Sequence, residues 1–321
     1  MKNDFKCPIC AHTTTDVIHT YKHDWGSCGK CRNLTRTRRA RYLATLCLPG
    51  KLKNLVPVAF QAYFFPVEKV LKSDANFYAA YSGISALKSA QGTKWEGQLE
   101  QLRCQLNHYG LSLEGQNVLD ISGGPGFLVQ EAQSLTRRAV VTEFNEASVE
   151  GMKRNLGIEA VKFDYNTDSI SEVVKGPFDI VLIRYSINFC KDLNRFLEGL
   201  KPILHSKSVV FVSFVPPTLG CILRWQHDDY TYHVLYDPEN FQKQWESQGF
   251  RLICERAVEE VYPYTQCPKH YPGLKNKVLY GVKNLMTLPY LLRALVGRKQ
   301  IDQALTQKNL IALFKLSASP K

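Results

Sequence analysis

The chain has 321 residues, 45% of them apolar, which is enough to bury one full core and carry an appended module. Its formal net charge of +12 favours anionic partners such as nucleic acid, nucleotide-linked substrates or an acidic membrane surface, without choosing among them. Met1 to Lys6 leads straight into a cysteine pair and no apolar run approaches the roughly 18 residues of a membrane span, which argues against a signal peptide or a spanning helix. A cytoplasmic protein is expected, peripheral at most to the inner face of the membrane.

The first predicted element is Cys7-x2-Cys10 followed, 17 residues later, by Cys28-x2-Cys31. That spacing is a zinc ribbon, in which two short knuckles bring four thiolates to tetrahedral geometry. A piece this small has no core that could hold it without metal. A full set of four sulfurs leaves His12, His19 and His23 as loop residues and makes the site structural, with no open position for catalysis. The other six cysteines, Cys47, Cys104, Cys190, Cys221, Cys254 and Cys267, lack pair spacing and read as reduced thiols. Arg36, Arg38, Arg39 and Arg41 follow, either a phosphate-tracking run or a solvated basic connector. Leu43 to Phe65, broken by Pro49 and Pro57, reads as short helices capping a substrate cleft. From Trp95 to Tyr109, Trp95, Leu99, Leu102 and Leu106 recur at the spacing of an amphipathic helix.

Val118 to Leu128 then runs as an apolar strand ending on Asp120, a turn containing Gly123, Gly124 and Gly126, and a helix from Phe127 to Ala132. Glycines there let the backbone pass close to a ligand, as in a nucleotide-cofactor loop. A nicotinamide fingerprint would need a third glycine where Val129 stands. Ala139 to Glu143 reads as the next strand, its terminal acid lying where a doubly wound fold places a ribose-binding carboxylate. Val161 to Asp164 and Phe178 to Tyr185 continue the alternation. Ser208 to Phe214 is a fifth strand, followed by a loop holding His227, Tyr230, Tyr232 and His233, the densest cluster of acid-base side chains in the chain. A helix from Asp237 ends at Gly249, a sixth strand is expected over Arg251 to Arg256, and a seventh over Asn309 to Leu316.

Asp120-Ile-Ser-Gly-Gly-Pro-Gly126 resembles motif I of class I S-adenosylmethionine-dependent methyltransferases, acid-x-Gly-x-Gly-x-Gly, with Ser122 at the first glycine. The resemblance implies an α/β fold, a Rossmann-like seven-stranded methyltransferase sheet with a small N-terminal zinc ribbon and helical segments. It implies S-adenosyl-L-methionine as cofactor, held by Asp120, Ser122, Gly123, Gly124, Gly126, Glu143 at the ribose, Asp164 beside the adenine amino group, and Arg184. The ribbon, Tyr232-His233-Val-Leu-Tyr236-Asp-Pro and Gly249-Phe250 are similar to a subgroup that carries a four-cysteine ribbon and methylates sugars in nucleotide-linked form or related small molecules. Where that subgroup has Leu-Glu-His after the fourth strand, this chain has Ile187-Asn188-Phe189.

These readings divide the chain into a ribbon over 1–35, a helical connector and cap over 36–109, and a methyltransferase domain over 110–321 with an insertion at about 258–306. Methyl transfer is an in-line displacement in which the protein holds the nucleophile in place, and a base is needed only where the nucleophile carries a proton. His233 and His227 are the candidate bases, with Tyr230 or Tyr232 assisting. The expected acceptor is a small anionic molecule, a sugar or nucleotide-linked sugar. An RNA methyltransferase using the ribbon and basic run is the alternative, although no signature of base recognition accompanies them. A degenerate methyltransferase fold acting as a binding module is the second alternative. In the insertion, Val278, Leu279, Val282, Leu285 and Met286 recur at helical spacing beside Lys275, Lys277 and Lys283, fitting packing on the sheet, a homodimer contact or membrane-surface docking.

Overall fold

The computed structural model describes residues 5–14, 17–19, 23–39, 98–218, 232–254, 257–263, 274, 278 and 306–317, and the chain forms two compact units. In the first, β1 (Phe5–Lys6) and β2 (Thr13–Thr14) pair antiparallel, and β3 (Val17–His19), β4 (His23–Ser27) and β5 (Leu34–Arg39) build a separate antiparallel sheet. Trp25, Leu34 and the sulfurs of Cys7, Cys28 and Cys31 form its buried centre. Arg36 to Arg39 do not begin a connector after residue 35. They continue β5, because β4 offers them a partner strand, with Trp25 opposite Arg36 and Asp24 opposite Arg38.

The second unit begins with helix α1 (Gln98–His108), whose Leu102 and Leu106 are buried at the predicted spacing; Trp95 lies outside the described residues. Then come β6 (Asn117–Asp120), α2 (Phe127–Ala132), β7 (Arg138–Glu143), α3 (Glu146–Leu156), β8 (Glu159–Lys162), the short α4 (Ile170–Val173), β9 (Phe178–Arg184), α5 (Leu193–Leu200) and β10 (Leu204–Phe214). The strands are apolar and β-branched, and their ends carry local stop signals. The Asn145 side chain caps α3 by accepting from Ser148 N–H at 2.9 Å, and Gly157 at φ 64° ends it. After β10 the chain contributes β11 (Val234–Leu235) to the ribbon and returns as α6 (Pro238–Ser247), β12 (Phe250–Leu252), β13 (Ala257–Pro263) and β14 (Thr306–Leu316).

The main sheet has the order β12-β14-β10-β9-β6-β7-β8, with β13 paired beside β14. β8, β7, β6, β9 and β10 are mutually parallel, while β14 runs antiparallel between β10 and β12. The seven strands on this path form the Rossmann-like sheet the sequence implied, and β13 adds an eighth. Alternate strand residues enter two apolar clusters: Val118, Ile180, Leu182, Val209, Phe211 and Leu313 pack with α1, and Val141, Ala160 and their neighbours with α3. A sheet buried on both faces explains why its strands read as continuous apolar runs.

Several element boundaries shift from the expectation: the strand expected over Val161 to Asp164 is Glu159–Lys162, and the one expected from Ser208 begins at Leu204. The sixth strand starts at Phe250 and ends at Leu252, because Gly249 at φ 80° turns the chain directly into it; the seventh starts at Thr306. Within the insertion, Leu274 and Val278 are exposed, and the rest of its basic amphipathic segment lies outside the described residues. Among the described residues no helix is long and apolar enough to cross a membrane.

Helix α6 pins the antiparallel edge. Trp245 is fully buried, stacked on Phe314 of β14 at 4.2 Å between ring centroids and edge-on to Phe250 at 5.0 Å. Truncating it removes a large buried ring and leaves a void that this edge cannot close. Trp245→Ala is therefore expected to lower unfolding free energy by about 3–5 kcal/mol, read from the midpoint of a urea titration.

Candidate functional site

The glycine turn sits at the carboxyl end of β6, the middle of the parallel strands, and its geometry is set by one buried acid. Asp120 has no exposed surface. A Cβ built on Gly123 would stand 2.5 Å from Asp120 Oδ2 and 2.7 Å from Val141 Cγ2, so only glycine lets the chain cross over the carboxylate. Gly123 N–H donates to Thr142 O at 3.0 Å and Ser122 N–H to Thr142 Oγ1 at 3.1 Å, tying the turn to β7. Gly126, at φ 77°, starts α2 in close contact with Met152 and Ile158. Gly124 differs: φ is 63°, and a Cβ there would meet nothing within 4 Å. Its backbone borders open space at the head of the strand.

Ser122 does adopt the left-handed conformation, at φ 56°, which costs a non-glycine residue of order 1 kcal/mol. A hydroxyl chain the sequence did not suggest offsets this. Ser122 N–H is held by Thr142 Oγ1, the adjacent Ile121 O accepts from Ser186 Oγ at 3.2 Å, and Ser186 Oγ pairs with the buried Tyr165 phenol at 2.8 Å. Burial holds the Tyr165 phenol well above its usual range, so it stays a neutral member of that chain. Tyr165 and Ser186 lie 21 residues apart on separate loops, and no spacing rule connects them.

Around this turn the structure gathers the predicted cofactor residues. Arg184, at the end of β9, reaches Asp120 Oδ2 through Nη2 at 3.4 Å. Burial pushes the Asp120 carboxyl up and the Arg184 guanidinium works against that. Asp120 Oδ1 and Arg184 Nε are buried with no partner among the described residues. Glu143, ending β7, is 5% exposed; its Oε1 accepts from Phe144 N–H at 2.8 Å and Asn145 N–H at 3.4 Å. Burial pushes this carboxyl up to about 7 against those bonds. Asp164 follows β8, half-buried, with Oδ1 accepting from Asn166 N–H at 2.8 Å. Tyr185, not singled out from the sequence, stands beside Arg184 at φ 57° and 39% exposed, its N–H donating to Ser213 Oγ at 2.9 Å. Asn188 is fully buried in a short turn of 3-10 helix over Ile187–Phe189.

Such a donor set fits a nucleoside with a cationic tail. A buried carboxylate oxygen lacking a partner suits an ammonium or sulfonium, an acid beside left-handed glycine backbone suits ribose hydroxyls, and Gly124 leaves the space a ligand would fill.

In the ribbon, Cys7, Cys10, Cys28 and Cys31 converge with all four sulfurs within 4.8 Å of one another. Cys7 and Cys31 sulfurs lie 3.5 Å apart, Cys10 and Cys28 3.4 Å. Each knuckle closes on itself: Cys7 O accepts from Ala11 N–H and Cys28 O from Arg32 N–H, both at 2.9 Å. A hydrogen bond shared with the Cys31 thiol draws the Cys7 thiol down, and four sulfurs this close together suit a thiophilic cation.

Of the predicted catalytic residues, His227 and Tyr230 lie outside the described residues. His233 is described, in the first unit: β11 pairs with β5, and Arg36 Nη2 lies 2.9 Å from His233 Nδ1.

No family model and no curated protein matches the chain. Solved structures similar to it include SAM-dependent methyltransferases from Archaeoglobus fulgidus (18% identity, 69% of this chain and 96% of that one, TM-score 0.45) and Mesorhizobium loti (13%, 69% and 99%, 0.45). A third is magnesium protoporphyrin IX methyltransferase from Synechocystis with SAH bound (13%, 67% and 81%, TM-score 0.42). The fold rests on strand order, not on these identities. It is a Rossmann-like sheet with seven strands along its main path.

Glu143 predicts a trade of stability for binding. Its carboxyl titrates near 7 when folded and near 4.5 otherwise, so folding takes up a proton between those values and stability falls as pH rises through that window. Above pH 7 the ionised group burdens the ligand-free fold by about 3 kcal/mol. Glu143→Gln should therefore be the more stable protein at pH 8 and gain nothing below pH 4.5, as measured by urea denaturation across that range.

Proposed function

We propose that the chain is an S-adenosylmethionine-dependent methyltransferase acting on a small anionic acceptor, a sugar or nucleotide-linked sugar. The observation that carries the reading is the buried Asp120 carboxylate beneath a glycine turn whose Gly124 backbone borders open space, flanked by Glu143 on the adjacent strand. When bound, the cofactor supplies a methyl group on a cationic sulfur. Asp120 would hold the amino-acid end, Glu143 the ribose hydroxyls, and Asp164 the adenine amino group, while the Gly123–Gly126 backbone lets the ligand approach. The net charge of +12 supports an anionic acceptor. By chain order, the Thr218 to His233 stretch follows the carboxyl end of β10, where open α/β sheets carry their acceptor-side loops.

Zinc is the metal we assign to the four cysteines. Four sulfur ligands fill a tetrahedral site and leave no position for substrate, so the metal's part is structural.

Calorimetry with S-adenosylmethionine tests the cofactor site. Glu143→Ala should weaken binding by about one to two decades through lost charge-assisted hydrogen bonds. Wild-type affinity should fall by up to about tenfold per pH unit below 7, since the ribose needs the ionised acid. Gly124→Val should abolish binding, its side chain filling the ligand's space at a φ that strains it. Unchanged affinity in folded Glu143→Ala protein would remove this residue from the ribose site.

Elemental analysis tests the metal. About one zinc per chain is expected in the purified protein, lost in Cys28→Ser. A chain without metal would overturn the ribbon assignment.

A further inference from the structure

Strand β11 lies antiparallel beside β5, with Val234 opposite Thr35 and Leu235 opposite Leu34. The same register carries His233 opposite Arg36, and Arg36 N–H donates to His233 O at 2.9 Å. Directly opposed side chains on one face of a sheet pair is the geometry in which long polar groups meet. Here Arg36 Nη2 lies 2.9 Å from His233 Nδ1, between half-buried side chains.

Direction follows from chemistry. A guanidinium has five donors, no acceptor and a permanent charge, so it can only donate, and Nδ1 must be the acceptor. A neutral imidazole with an acceptor at Nδ1 carries its proton on Nε2. Protonating Nδ1 would remove the acceptor and set an imidazolium against a guanidinium. We propose that Arg36 is a positioning residue that fixes His233 as a neutral hydrogen-bond donor through Nε2, not as the general base of methyl transfer.

Two more contacts hold the same segment to the ribbon. Arg32 Nη2 meets Asp237 Oδ1 at 2.8 Å, and Asp237 N–H donates to the fully buried Asn33 Oδ1 at 2.7 Å. Arg32 and Asn33 follow Cys31 directly, and Cys28 N–H donates to Asn33 O at 3.2 Å, so the second cysteine knuckle fixes the backbone that fixes Asp237. His233 is thus set between a strand pairing on one side and an anchored Asp237 on the other. Only the choice of proton acceptor rests on the methyl-transfer reading; the pairing does not. On that reading, a protonated nucleophile would find its base elsewhere, with His227 and Tyr230 the remaining candidates.

Nitrogen NMR of the full-length, 15N-histidine-labelled protein tests the assignment, with the His233 signals identified by their loss in His233→Asn. The expected wild-type spectrum has a pyrrole-type Nε2 bearing hydrogen and a pyridine-type Nδ1 shifted upfield by an accepted hydrogen bond. In Arg36→Met, Nδ1 should move downfield to the position of an unbonded pyridine-type nitrogen, while Arg36→Lys, which keeps a donor, should recover part of the shift. A wild-type ring with hydrogen on Nδ1 overturns the proposal without any variant. An Nδ1 signal that stays in place in Arg36→Met does so as well. Cofactor calorimetry on the same variants reports separately on the methyltransferase reading, so the two can fail independently.

Discussion

A carboxylate with no exposed surface organises the sheet unit. Burying a charge in a protein interior costs several kcal/mol unless partners offset it, and Asp120 has only a long contact from Arg184 on one oxygen and none among the described residues on the other. That arrangement constrains its surroundings. Gly123 has no room for a Cβ, the turn must be pinned to Thr142, and β9 must end on a cation whose side chain leans back over β6. Burial of Glu143 one strand away repeats the pattern, a second acid kept out of water at the same sheet edge. Both acids stand at the carboxyl ends of parallel strands, where burial pushes their carboxyls up at a cost to the fold.

Strain at the same turn has a local remedy. Ser122 and Tyr185 both hold left-handed backbone that L-residues avoid, and each is fixed by a hydroxyl, Ser122 through Thr142 and Tyr185 through Ser213. The first-glycine position tolerates serine because these bonds select a conformation the residue would not choose alone.

The ribbon solves a different problem. With little apolar area to bury, it converges four sulfurs and then completes its sheet with two residues from far along the chain. β5 would otherwise present unpaired backbone groups, and β11 closes that side while bringing His233 and Asp237 under the control of Arg36, Arg32 and Asn33. An apparently separate N-terminal module is in this way part of how a segment after the fifth main strand is shaped.

The sequence by itself determined whatever depends on near neighbours. Continuous apolar runs gave the parallel strands, the glycine spacing gave the β6–α2 turn with helix limits at Phe127 and Ala132, and the cysteine pairs gave the ribbon. These are local rules of period and spacing, and they hold wherever the segment lies. Only the tertiary structure decided that Arg36 extends a strand, that Val234 and Leu235 pair with it, and that His233 accepts from a guanidinium 197 residues away in sequence. It also decided which acids lose their water, since desolvation depends on what the folded chain places around them. Composition shows that Asp120 and Glu143 can carry charge; burial decides how much that charge costs.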